Sequence, residues 1–318
     1  MGIAIILVVI RHTRDFLTTD QYLNTFLGLG YCGVDFFFLL SGFGLFLGYK
    51  EQDTTYSFWK RRLKRIMPTY VIVNLLYYLL IGKYNPFLIL FSISGIGFFC
   101  NKHFLEWYIP SLFAFYFIFP YLMRTVRRYN PKFVVMGGVT IGLLLELILI
   151  FLQKPVMQHL FLSRIPIFFV GVLCGVLYKQ STSYKVPGVT LAIISFVVLV
   201  LEYSLQLHLS NDVLWTNGLF WLPFILIIPG MIIICVWLFE RIGNTLNRIF
   251  ENIGKVSLEM YLLHISVLNI YRNALDQMYS ENYGSSIAVF YTILFIVCIY
   301  CCSVILQRAT NYIIKVLR

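Results

Sequence analysis

The feature that most constrains this chain is the recurrence, from one end to the other, of apolar runs about as long as a membrane-spanning helix. A span needs about 20 mostly apolar residues to cross a hydrocarbon core of about 30 Å. Ten such runs lie near residues 1–13, 31–49, 66–81, 105–123, 133–152, 164–178, 187–207, 218–239, 256–271 and 286–306. No stretch between them is long enough for a separate soluble domain, so residues 1–318 are predicted to form one membrane-embedded domain.

Composition and the pattern of apolar residues distinguish a helical membrane protein from a β-barrel. Hydrophobic residues make up 59% of the chain and charged residues only 12%, too few to coat a soluble protein. The runs are solidly apolar rather than alternating, which disfavours a β-barrel. The predicted fold class is therefore all-α, a polytopic transmembrane helix bundle of about ten spans.

An eleventh apolar run, 87–99, is short and contains Gly95 and Gly97, so it is either re-entrant or a minimal span. Charge favours the re-entrant alternative. If this run does not cross and the N-terminus is cytoplasmic, 18 of the 25 basic residues fall on the cytoplasmic side, as the positive-inside rule requires. Both termini are then cytoplasmic, in a plasma or inner membrane.

The net charge of +11 is explained by these cytoplasmic loops, which lie against anionic headgroups of the lipid bilayer, so no nucleic-acid partner is predicted. The seven cysteines lie in or beside apolar runs, where packing is their expected role. No spacing of Cys and His resembles a metal site, and none is predicted.

Histidines near the ends of spans are the first candidates for chemistry. His12 lies at the outer end of the first run between Arg11 and Arg14, where it is either a structural residue or a general base. His264 falls within a span, where an ionisable group is costly unless it is paired or faces a cavity. His103 and Glu106, at the outer start of the fourth span, have helix-terminal and site-supporting roles as equal alternatives.

Several other polar residues have a structural and a functional interpretation. Asp35 is either a cap at the start of a helix or a site residue, and Ser41, beside Gly42, either packs or directs a hydroxyl into the bundle. Arg62 and Arg65 share one face of a helix in the basic stretch 60–65, where they would suit phosphate groups or act only as topogenic charge.

Five blocks in order along the chain resemble the membrane-bound acyltransferase family 3. They are the Asp-Phe-Phe-Phe-Leu-Leu-Ser-Gly-Phe stretch of 35–43, the Arg-Leu-Lys-Arg-Ile-Met-Pro stretch of 62–68, residues 103–108 with Tyr116 and Pro120, residues 164–171, and residues 253–257 with 261–264. The resemblance covers almost the whole chain. It implies transfer of an acyl group, acetyl or succinyl, from a cytoplasmic coenzyme A thioester to a hydroxyl of a cell-surface or secreted glycan.

Carried over by residue, the resemblance makes His12 the catalytic base and Arg62 and Arg65 the paired arginines. We add Asp35, Ser41, Arg14 and Arg164 as candidate acyl-CoA or substrate-binding residues. The family also has an arginine eleven residues before its histidine, where this chain has Met1. Because the first apolar run of about 10 residues, some 15 Å, is also too short to span, we expect the chain to begin inside a longer natural helix.

Two mechanisms and two rival functions remain open at this point. The acyl group either transfers directly while His12 deprotonates the acceptor hydroxyl, or passes first to His12 as an acyl-histidine. A transporter or flippase for a lipid-linked sugar would also have about ten helices with buried charges. A non-catalytic partner of a polysaccharide synthase is the weaker rival. The acyl-CoA is a substrate in this interpretation, and no permanently bound cofactor is predicted.

Overall fold

Helices form every regular element in the part of the chain that the computed structural model describes, namely residues 1–18, 20–50, 52–102, 104–153, 156–180, 185–209, 219–280 and 285–316. In chain order they are α1 (Gly2–Leu17), α2 (Gln21–Gly28), α3 (Cys32–Gly48), α4 (Thr55–Leu80), α5 (Pro86–Ile93), α6 (Ile96–Phe99), α7 (Tyr108–Arg128), α8 (Pro131–Phe151), α9 (Val156–Leu162), α10 (Arg164–Lys179), α11 (Lys185–His208), α12 (Phe224–Phe239), α13 (Asn244–Lys255), α14 (Ser257–Ser280) and α15 (Ser285–Val316). Short 3-10 turns occupy Leu29–Tyr31 and Leu219–Trp221. Each of the ten predicted apolar runs thus contains one long helix.

Seven of the described helical segments are long and apolar enough to cross a membrane, or up to eight if a bent pair forms one span. The seven are Gln21–Gly48, Tyr108–Arg128, Pro131–Phe151, His159–Lys179, Gly188–His208, Leu219–Phe239 and Val289–Val316. The bent pair is α13 with α14, whose axes differ by 66°. The protein is therefore a multi-pass membrane protein. The structure shows seven or eight candidate spans in its described residues, and the predicted count of about ten stays a prediction.

The short apolar run 87–99, which was predicted to be re-entrant, forms the two short helices α5 and α6. Asn85 caps the start of α5, accepting hydrogen bonds from the backbone N–H groups of Phe87 and Leu88, and Pro86 occupies the first turn, where its missing N–H costs nothing. Gly95, with φ of +75°, breaks the chain between α5 and α6 in a left-handed conformation that favours glycine.

A buried polar network holds α5 against α4. The Tyr70 hydroxyl donates to the backbone carbonyl of Ser92 at 3.1 Å, and the Ser92 hydroxyl donates to Asn74 Oδ1 at 2.9 Å. Asn74 Nδ2 in turn donates to the Tyr70 carbonyl at 2.9 Å. All three side chains are completely or almost completely buried, so the network satisfies groups that would otherwise be costly in an apolar interior.

The helices group into two compact units, which we describe separately. Unit 1 comprises Met1–Gly33, Trp59–Pro110 and Arg248–Arg318, and unit 2 comprises Val34–Phe58 and Ser111–Asn247. In unit 1, α1 packs against α14 and α15 and against the turn before α3, where Gly30 lies close to the Leu7 carbonyl oxygen. The prediction of a single membrane domain stays a prediction.

Unit 2 is built on close helix contacts through small residues. A methyl group added to Gly42 of α3 would overlap the Phe168 carbonyl oxygen of α10, and one added to Gly171 of α10 would overlap the Leu39 carbonyl oxygen. The backbones of α3 and α10 therefore touch, as small residues permit between membrane helices. The helix α10 also packs on α8, and α11 packs on α12.

Candidate active site

Two histidines from different helices meet in unit 1. The rings of His12 on α1 and His264 on α14 lie 5.2 Å apart between centroids, edge to face at 61°. His12 is partly buried and His264 is completely buried. The contact joins the first helix to the penultimate one.

Both rings adopt the same tautomer, because each binds a backbone carbonyl of its own helix. His12 Nδ1 lies 2.8 Å from the Val8 oxygen, and His264 Nδ1 lies 2.9 Å from the Met260 oxygen. A carbonyl oxygen only accepts, so Nδ1 carries the proton in each neutral ring. Each neutral ring therefore has its lone pair on Nε2.

His264 contacts a tyrosine that is hydrogen-bonded to a carboxyl group. The ring of Tyr261 lies 5.5 Å from that of His264, and the Tyr261 hydroxyl donates a hydrogen bond to the carboxyl group of Glu106. Glu106 also accepts the backbone N–H of Ile109 at 3.0 Å, so it caps the start of α7. Burial raises the pKa of Glu106, which precedes the first residue of the spanning helix, to about 8. Glu106 thus fills the helix-terminal role that the sequence left open, and its site-supporting role stays a prediction.

The arginines beside His12 bind nearby groups of unit 1. The guanidinium of Arg11 lies 5.7 Å from the centre of the Tyr31 ring. Arg14 Nε lies 3.3 Å from Asp15 Oδ1, and its guanidinium also reaches Gly28, where no side chain blocks it. The positive charge of Arg14 is therefore partly offset by Asp15.

The paired arginines lie on α4, in the part that precedes its apolar half. The helix begins at Thr55, eleven residues before the predicted span, so the whole basic stretch is helical. Arg62 is half-buried and Arg65 is exposed. Arg65 acts electrostatically on Glu259 of α14, which also accepts a hydrogen bond from Thr69 Oγ1 at 3.4 Å.

The helix α14 therefore lies close both to the basic stretch of α4 and to His12 of α1. Glu259 lies near the basic end of α4, and His264, five residues further on, lies against His12. Because a helix rises about 1.5 Å per residue, Glu259 and His264 lie about 7.5 Å apart along the helix axis.

A second polar cluster lies in unit 2. Asp35 Oδ1 lies 3.2 Å from Arg164 Nε, with both side chains almost completely buried. Arg164 Nη1 donates to the Ser163 hydroxyl at 2.8 Å, and its guanidinium lies 4.7 Å from the centre of the Trp221 ring. Asp35 and Arg164, which we predicted separately as substrate-binding residues, thus bind each other, and their roles toward substrate stay predictions.

The same cluster contains a pair that the sequence analysis missed. His159 Nδ1 lies 2.7 Å from Glu146 Oε1, and both side chains are buried. His159 lies in α9 and is not among the candidates that the sequence suggested. The available signal was Glu146, a single carboxylate in an apolar run that required a partner.

The remaining predicted site residues are less informative. Ser41 is half-buried on α3, beside the Gly42 contact, which supports the packing interpretation of this motif. His103 lies outside the described residues. Among the residues that the structure describes, no group of three or more His, Cys, Asp or Glu side chains could hold a metal ion.

Comparison with known proteins gives a family match along nearly the whole chain. A family model described as "Acyltransferase domain" matches residues 2–307. Proteins named "Putative O-acetyltransferase" from Staphylococcus aureus strains COL, MSSA476 and MRSA252 are each 25% identical over 285 residues, covering 76% of this chain and 46% of the relative. The chain thus spans about half the length of the curated relatives it matches. No solved structure matches it.

Proposed function

This chain belongs to the acyltransferase domain family, and from that membership we propose that it is a membrane O-acyltransferase. It transfers an acyl group, acetyl in the first instance and succinyl as the alternative, from cytoplasmic acyl-CoA to a hydroxyl of a cell-surface or secreted glycan. The observation that carries the proposal is the family match over residues 2–307. The names of the Staphylococcus aureus relatives support transfer to oxygen.

The reaction converts a thioester and an alcohol into an ester and a thiol, and it needs a base because a sugar hydroxyl is a poor nucleophile. The His12 tautomer supports this role, since Nδ1 is bound to the Val8 oxygen and the lone pair is on Nε2. A positioned base of this kind contributes about 10²–10⁴-fold to a rate.

The donor carries phosphates at one end and the acyl group at the other. We propose that Arg62 and Arg65 bind the phosphates while the pantetheine arm extends toward His12. The support is that α14 lies near Arg65 through Glu259 and contacts His12 through His264. Arg65 is exposed, so its guanidinium is accessible to a ligand.

The proposal also includes how the chain crosses the membrane. We propose ten membrane crossings with both termini cytoplasmic in the plasma or inner membrane, and α5 and α6 not crossing. The break at Gly95 and the polar network between α4 and α5 support a folded-back segment. The basic end of α4 then faces cytoplasmic coenzyme A.

The test is transfer of labelled acetyl from acetyl-CoA to glycan in membranes of the native cells. We expect label in base-labile esters, reduced about 10²-fold or more by His12→Ala because the base is lost. His208→Ala, which removes an exposed histidine of α11, is the matched control and should retain activity. Arg65→Ala should raise the KM for acetyl-CoA, whereas Arg61→Ala, exposed on the same helix, should change it little.

Two results would contradict parts of this proposal. If neither acetyl-CoA nor succinyl-CoA donates label, while export of the glycan depends on this protein, the transporter function replaces the enzymatic one. If label transfer is unchanged in His12→Ala, the protein is an acyltransferase with a different base.

A further inference from the structure

His264 has one polar atom whose presence the fold does not explain. Its Nδ1 is bound to the Met260 carbonyl, and its ring contacts the rings of Tyr261 and His12. Its Nε2 is buried and forms no hydrogen bond with any group in the part of the chain that the structure describes.

Such an atom is unfavourable for stability. A buried acceptor without a donor destabilises the fold, and an apolar ring at this position would avoid that cost. A purely structural histidine in a membrane helix is expected to have both nitrogens satisfied. The acceptor nitrogen therefore points to a donor that arrives with a substrate.

The shared tautomer limits what one histidine can do. With Nδ1 of His12 bound to Val8, its reactive lone pair is the one on Nε2. If that lone pair forms a bond to an acyl carbon, it can no longer accept the proton of the incoming hydroxyl. A two-step transfer therefore needs a second proton acceptor close to His12, and the ring of His264 lies 5.2 Å from that of His12 between centroids.

We propose that His264 is a second catalytic residue and that the two histidines divide the reaction: His12 carries the acyl group and His264 receives the proton of the acceptor hydroxyl. The proposal rests on the proposed function and selects the acyl-histidine route over direct transfer, so that His12 acts as the nucleophile and His264 takes over the role of base toward the acceptor hydroxyl. Tyr261, which contacts the His264 ring and donates a hydrogen bond to Glu106, helps to hold that ring in position.

The two steps balance. In the first, the Nε2 lone pair of His12 attacks the thioester carbonyl carbon, an N–C bond forms, and the C–S bond breaks with its electrons on sulphur. In the second, the hydroxyl oxygen attacks the acyl-imidazolium, a C–O bond forms, and the C–N electrons return to His12. The hydroxyl proton passes to His264 Nε2 and then to the thiolate, so the products are an ester and a thiol.

The variant that isolates Nε2 is His264→Asn. The side-chain amide of asparagine lies near the position of Nδ1, so it can still donate to the Met260 carbonyl, but it has no atom at the ε position. Ser266→Ala is the matched structural control, because Ser266 is also buried on α14 and its hydroxyl donates to the Leu262 carbonyl at 2.8 Å. His12→Asn removes Nε2 of His12 in the same way.

The measurement is thiol release from acetyl-CoA in the millisecond to second range, together with mass mapping of acetyl groups on the protein. We expect His264→Asn to release about one coenzyme A per protein, to accumulate acetyl on His12, and to transfer to glycan about 10²–10⁴-fold more slowly. His12→Asn should release none. The unsubstituted protein, given acetyl-CoA without acceptor and quenched in acid, should carry acetyl on His12, an observation that does not depend on the folding of a variant.

Three results would overturn the division. One is transfer by His264→Asn within threefold of the unsubstituted protein, and another is its failure to release coenzyme A while thermal unfolding is unchanged. The third is an unsubstituted protein that transfers acetyl to glycan yet never carries it on His12. If the unsubstituted protein releases no coenzyme A from either donor, the proposed function itself fails and the division fails with it.

Discussion

A single charged residue inside an apolar run must have a partner, but the sequence does not say which one. Asp35 and Arg164 were each recognised as unusual, and the structure pairs them within 3.2 Å. The partner could not be predicted because the two residues lie far apart in the chain. His12 and His264 illustrate the same limit, since each was a candidate alone and only folding brings their rings together.

The Asp35–Arg164 pair leads to a stability prediction. Arg164→Met leaves a buried carboxylate without its cation, so we expect the free energy of unfolding in detergent to fall by about 3–5 kcal/mol. Asp35→Leu combined with Arg164→Met removes both charges and should recover most of that loss. Lys255→Met breaks the ion pair with Glu251, in which the two side chains are 58% and 63% exposed, and should lower the free energy of unfolding far less because water screens both charges. A double variant less stable than Arg164→Met would contradict the pairing.

At the scale of elements, the apolar runs predicted all ten long helices but not the short ones. The helices α2, α9 and α13 were missed because they are brief or polar and have no continuous apolar run. The helix predicted for the apolar run 66–81 begins earlier, at Thr55, and includes the whole basic stretch 60–65, because Lys and Arg are good helix formers. Charge content marks where a helix leaves the hydrocarbon core, and it does not mark where the helix ends.

The contact between α3 and α10 can be tested with two glycines of one helix. Gly42→Ala places a methyl group against the Phe168 carbonyl oxygen, so we expect the midpoint of thermal unfolding to fall by several degrees. Gly44→Ala on the same helix meets nothing within 4 Å and should leave the midpoint unchanged or raise it, since alanine favours helix. Equal effects of the two substitutions would mean that α3 and α10 do not touch at Gly42.

At the scale of the whole molecule, composition predicted the membrane class, whereas the number of crossings is harder to derive. Seven or eight described segments are long and apolar enough to span, against about ten predicted. The difference lies in α1, which has only 16 residues, and in α4, whose first half is basic. Length excludes α1, whereas α4 is long enough at 26 residues and is excluded by the charges of its first half.

Topology can be read by a reporter inserted after Lys132, in the first turn of α8. We expect a cytoplasmic signal, because ten crossings with α5 and α6 folded back place the basic cluster 124–132 inside. An insertion after Gln153, which follows α8, should give the opposite signal and serves as the control. An external signal after Lys132 would mean that the 87–99 segment crosses the membrane.

The polar network of Tyr70, Asn74 and Ser92 also bears on how the protein is made. During synthesis α4 leaves the ribosome before α5, so for a short time Asn74 has no Ser92 to bind. Moving such a helix alone into lipid would expose its amide to hydrocarbon, whereas moving α4 and α5 together satisfies both side chains. The insertion machinery should therefore retain α4 until α5 has emerged and release the two as one hairpin.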